Sequence, residues 1–154
     1  MSSYPGRWGG TVFDSIVGVW KLKAVEFRTG GDDVLRPFGA NPRGLLIITK
    51  EGHFALQVMD PRRPEFASGD VFGSTLDEKA SAMQGFSAYS GTYTVHGNRI
   101  TIRIDTSLFP NWVGRDEERT FELKGDTLDI RTKSVLAGGN AVSADVIWTR
   151  VAKL

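Results

Sequence analysis

Ala88-Tyr89-Ser90-Gly91-Thr92-Tyr93-Thr94-Val95-His96-Gly97-Asn98-Arg99-Ile100-Thr101-Ile102-Arg103-Ile104-Asp105-Thr106-Ser107 reads as one β-hairpin. Apolar and polar residues alternate on both sides of Gly97-Asn98, and β-branched and aromatic types are frequent. Tyr89, Gly91, Tyr93 and Val95 fall on one face, while Ser90, Thr92 and Thr94 suit solvent. A two-residue link containing glycine supplies the positive φ that a tight hairpin turn requires. Links of the same kind occur at Glu51-Gly52 and Gly125-Asp126.

Working outward, the alternation predicts eight strands, at 17–28, 44–50, 53–60, 88–96, 99–107, 116–124, 127–133 and 143–151. The other four connections, 29–43, 61–87, 108–115 and 134–142, are long. Short and long connections alternate, so an up-and-down meander places the tight turns at one end and the long loops at the other. Eight antiparallel strands close readily into a barrel, which removes exposed sheet edges. The lumen of such a barrel holds side chains or one small ligand, and the long-loop end is its mouth. The predicted fold is therefore all-β, a single eight-stranded antiparallel up-and-down barrel. One short helix lies between the third and fourth strands. Thr75 and Glu78 open it as a capping box and Gly85 ends it; it is a candidate lid.

Residues 1–12, rich in Ser, Gly and Pro, read as a flexible arm, leaving 13–154 as the barrel domain. The 154 residues carry a formal charge of +1, which argues against nucleic acid as a partner. There is no cysteine, and no apolar run long enough for a signal peptide or a membrane span. A cytoplasmic protein is the expectation. No phosphate loop, nucleophile elbow or metal-spaced His and carboxylate set is present, so neither metal nor cofactor is expected. His53 and His96 border tight turns at the closed end, away from the mouth, and are expected to be surface residues rather than bases.

Gly18-Val19-Trp20 opens the first strand and Trp148-Thr149-Arg150 closes the last. This resembles the lipocalin arrangement, in which a Gly-x-Trp packs against an Arg late in the chain. The blocks Asn41-Pro42-Arg43-Gly44-Leu45-Leu46, Gly52-His53-Phe54-Ala55-Leu56-Gln57-Val58-Met59, Phe66-Ala67-Ser68-Gly69-Asp70, Gly85-Phe86-Ser87-Ala88-Tyr89-Ser90-Gly91-Thr92-Tyr93 and Ser107-Leu108-Phe109-Pro110-Asn111-Trp112-Val113-Gly114 extend the likeness. On these residues the chain is identified as a member of the lipocalin-like domain family of small stand-alone bacterial and fungal proteins. The resemblance implies the barrel. Some lipocalin-like barrels are similar to cofactor-free cyclases and isomerases of biosynthesis, so it leaves the activity open.

With Trp20 inward, a period of two sends Leu22, Ala24, Glu26 and Arg28 inward as well. Arg119 and Glu117 follow Phe121 and Leu123 inward on the sixth strand. In the third strand Phe54, Leu56 and Val58 compete with Ala55, Gln57 and Met59 for the lumen. The resemblance favours Gln57 and Met59. The resulting wall of Trp, Tyr, Phe, Leu and Met with a few polar groups is the make-up of a small-molecule site.

Glu26, Tyr89 and Arg119 are the candidate catalytic residues. Gln57, Met59, Tyr93, Phe109, Asn111, Trp112, Glu117 and Phe121 are the candidate ligand-binding ones, with Phe109, Asn111 and Trp112 on the rim loop. Arg119 would anchor a carboxylate or enolate, or else simply pair with Glu117 or Glu26. Three readings stand. The barrel binds a small, largely apolar organic molecule; it is a cofactor-free isomerase or cyclase acting on one; or it is plugged and serves as an interaction module.

Overall fold

A computed structural model describes residues 13–154; the arm expected at 1–12 lies outside the described residues. A one-turn helix α1 (Phe13–Ile16) leads into β1 (Gly18–Arg28). The chain then runs through β2 (Val34–Leu35), β3 (Arg43–Ile48), β4 (His53–Met59), helix α2 (Leu76–Gln84), β5 (Phe86–His96), β6 (Arg99–Ser107), β7 (Asp116–Lys124), β8 (Thr127–Ala137) and β9 (Asn140–Ala152). Every strand pairs antiparallel with its neighbour, and β1 also pairs with β9. Eight strands therefore close into a barrel, with two-residue β2 added along the mouth end of β1.

The tight turns at Gly52, Gly97 and Gly125 all have positive φ, as expected for short hairpins. The long loop expected at 134–142 is replaced by strand. β8 and β9 continue to a fourth tight turn at Gly138-Gly139, both with positive φ. A bulge between Thr132 and Val135 breaks the alternation there, which hides the strand from a reading based on period.

The closed end is plugged by Ile16, Trp20, Leu128 and Trp148, each at most 1% exposed. The indole of Trp20 donates to the Ile16 carbonyl at 3.0 Å. Arg150 donates to the carbonyls of Val17 and Ser15, and its guanidinium lies over the Trp20 ring. The Gly-x-Trp and the late Arg thus meet as the sequence implies.

Helix α2 has the expected capping box, with Thr75 accepting from the Glu78 amide and Glu78 accepting from the Thr75 amide. It buries no residue and contributes none to the lumen wall, so it flanks the barrel rather than capping the cavity as a lid.

Candidate functional site

The barrel encloses a cavity of about 210 Å³. Cross-strand register decides its walls, because residues paired directly across two strands share a face. Leu46 pairs with Leu56 and Ile48 with Phe54, which puts Phe54, Leu56 and Val58 inside. Gln57 and Met59, expected inside, therefore point outward, and Gln57 is exposed.

A second correction concerns β1. Leu22 pairs with Trp148, but Ala24 pairs with Ile147, so Lys23 is an extra residue that reverses the phase. Beyond it Val25 and Phe27 line the cavity, and Ala24, Glu26 and Arg28 face outward. Glu26 sits in an ionic group on the outer wall, 3.6 Å from Arg28 and 3.8 Å from Arg36. Beside it the buried Asp145 takes Arg28 at 3.4 Å and Arg131 at 2.5 Å. The bulge removes from the lumen Glu26, one of the two carboxylates expected to face it.

Arg119 and Tyr89 do lie on the cavity wall, as placed from sequence, and Arg119 is the charged residue among those lining it. The Arg119 guanidinium donates through Nη1 to Glu117 at 3.2 Å and to the Glu118 carbonyl at 3.1 Å. Its side chain is 10% exposed, against 34% for Glu117, which stands nearer the mouth on the same strand and does not line the cavity. Burial pushes the Tyr89 phenol above its ordinary value of 10; the nearby Arg119 charge and a hydrogen bond with it pull it partly back. Tyr89 is thus a neutral hydroxyl beside a buried cation.

Tyr93 lines the cavity too, but its hydroxyl donates to the Thr49 carbonyl at 2.6 Å. Burial raises its pKa to about 12. It serves as a wall with its polar tip already engaged. Ser87 and Thr132 add hydroxyls to an otherwise apolar lining.

At the mouth a run of edge-to-face aromatics continues the wall. Phe54 meets Tyr89 at 5.9 Å, Tyr89 meets Trp112 at 5.4 Å, and Trp112 meets Phe109 at 5.5 Å between ring centroids. Trp112 lines the cavity from the short 3-10 turn Pro110–Trp112. Phe109 backs it at 43% exposure and Asn111 is exposed, both on the rim rather than the wall. Phe121 is buried in the core without lining the cavity. His53 and His96 are exposed at the closed end.

The sequence reading missed Phe27, Phe38 and Val135 in the lining. Phe27 was hidden by the β1 bulge and Val135 by the β8 bulge. Phe38 belongs to the loop between β2 and β3, where no periodicity signals a facing. Among the described residues no cluster of side chains could hold a metal ion, and no helix is long and apolar enough to cross a membrane.

The lipocalin-like domain family matches residues 17–151. The 4'-hydroxy-3'-methoxypropiophenone carrier protein of Aspergillus oryzae is 31% identical over 107 residues, covering 64% of this chain and 96% of that protein. A lipocalin-like protein from Bacteroides uniformis superposes with a TM-score of 0.44 at 13% identity, over 88% of this chain and 98% of its own. An uncharacterized protein from Bacteroides eggerthii gives 0.43 at 12% identity, with the same shares. Structural likenesses of that size carry no argument about the site.

Proposed function

The chain belongs to the lipocalin-like domain family, and on that premise we propose that its barrel binds a small, largely apolar organic molecule in the lumen and carries it unchanged. The observation that carries this reading is the cavity itself, about 210 Å³ and walled by aromatic and aliphatic side chains with few polar groups. Such a lining stabilises an apolar ligand at roughly 25 cal/mol for each Å² it removes from water. Arg119 and Tyr89 would orient it through a polar oxygen. The similarity to a carrier of an aryl ketone supports the same reading, and a single substituted ring is of a size the cavity accommodates.

The isomerase or cyclase reading needs an acid or base facing the substrate. The carboxylate proposed for that role, Glu26, lies on the outer wall, and the charge of Arg119 is paired with Glu117. This favours binding over chemistry. The plugged-barrel reading is disfavoured by the open cavity.

Incubation of the protein with a small-molecule extract of its host, followed by mass spectrometry of retained and altered compounds, separates the readings. An Arg119→Ala, Tyr89→Phe double variant controls for non-specific retention. A compound retained unchanged by the wild type and not by the variant is the expected result. Conversion of a compound by the wild type alone would replace the carrier reading with the enzyme. The absence of both retention and conversion would overturn lumen binding.

A further inference from the structure

The ion pair at the lumen wall is unevenly built. Arg119 is nearly buried while Glu117 is one-third exposed, and both carboxylate and carbonyl contacts leave from the same nitrogen, Nη1. Arg119 also lines the cavity, and its charge acts on the neighbouring Tyr89 phenol. A nearly buried guanidinium at the wall of an apolar cavity is costly to leave without an acceptor. Glu117, in contrast, can rotate into water at the mouth with little loss, because an exposed carboxylate is well solvated.

We propose that the lumen takes its ligand as a small aromatic monoanion whose oxygen displaces Glu117 from Arg119, so that Glu117 is a resident, exchangeable counter-ion. This rests on the lumen-binding reading above and adds the charge of the ligand. A neutral ligand leaves the resident pair intact and gains only apolar burial. An anion exchanges one oxyanion for another, so the buried charge of Arg119 stays balanced throughout. A cation meets Arg119 with no carboxylate among the described residues that line the lumen to receive it. The fork of a guanidinium also matches two oxygens of a carboxylate, which Glu117 reaches through one nitrogen alone. The chemistry shared by candidate ligands is therefore an aromatic oxyanion, either a carboxylate or an acyl phenolate.

Calorimetric titration with two matched pairs tests this. One is hydrocinnamate against its methyl ester at neutral pH. The other is 4'-hydroxy-3'-methoxypropiophenone against its 4'-methyl ether, at a pH where the phenol is ionised. The wild type is expected to bind the anion of at least one pair about tenfold more tightly than its neutral partner. Preference in the first pair assigns a carboxylate ligand, and preference in the second a phenolate.

Glu117→Gln widens the ratio of anion to neutral affinity by removing the competitor. Arg119→Gln collapses it, and Arg119→Lys, which keeps the charge and loses the fork, gives a value between. Equal or tighter binding of both neutral partners by the wild type overturns the proposal. So does a ratio that neither Glu117→Gln nor Arg119→Gln moves. Failure of all four compounds to bind a barrel whose circular dichroism is intact overturns the lumen-binding reading itself.

Discussion

The guanidinium carbon of Arg150 lies 4.1 Å above the centre of the Trp20 ring, which joins the last strand to the first at the closed end. The same guanidinium holds two carbonyls of the segment that plugs the barrel, those of Ser15 and Val17. Cation–π contact contributes about 0.5–2 kcal/mol and each net hydrogen bond about 1 kcal/mol. Arg150→Met should therefore lower unfolding stability by about 2–3 kcal/mol in a urea titration. Trp20→Ala should cost more, about 3–5 kcal/mol, because it empties a fully buried site. An Arg150→Met variant as stable as the wild type would show that the clasp does not hold the barrel closed.

Gly91 faces a bulge in β6, and a Cβ there would meet the Arg103 carbonyl oxygen at 1.8 Å, so the strands would have to part. Gly91→Ala is expected to destabilise by about 3 kcal/mol or more. It would also weaken ligand binding through the neighbouring Tyr89. Chemical denaturation and titration of the same variant check both effects.

Asp129 on the outer wall has one carboxylate oxygen buried without a hydrogen bond. Burial raises its pKa above the ordinary 3.8, and Asp145 raises it further. A carboxyl with a raised folded pKa favours folding when protonated, and that contribution is lost as pH rises through the folded value. Asp129→Asn should thus raise the thermal midpoint at neutral pH. The difference should shrink as pH falls through the carboxylate range. A gain that persists unchanged in acid would point to a cause other than ionisation.

Trp112 closes the wall at the mouth, resting on Tyr89 and Phe109. Trp112→Ala should speed ligand dissociation about tenfold while changing association less, since affinity changes within one site fall mainly on the off-rate. Stopped-flow displacement measures this. An unchanged off-rate would place the exit elsewhere on the barrel.

The meander was legible because three of its turns need glycine at positive φ and the strands between them alternate. Helix α2 was legible in its capping box, and the closed end in Trp20 and Arg150. What period-two counting could not see were the bulges. One extra residue, Lys23, turned Glu26 out of the lumen and brought Phe27 in. The irregularity after Thr132 concealed the strand that runs to the Gly138-Gly139 turn. In β4 both faces carry apolar residues, and register with Leu46 and Ile48, rather than composition, chose Phe54, Leu56 and Val58. Arg119 and Tyr89 were found because β7 up to Phe121 and the relevant part of β5 keep an unbroken alternation.

The most direct test of lumen binding compares the wild type with a variant whose cavity is filled from its own wall. Ala144 is buried there, so Ala144→Phe occupies the space with the barrel retained, as checked by circular dichroism. Incubated with a small-molecule extract of the host, the wild type is predicted to retain a compound that the folded variant does not. Equal binding to both proteins, or none to the wild type, would contradict a ligand site in the lumen.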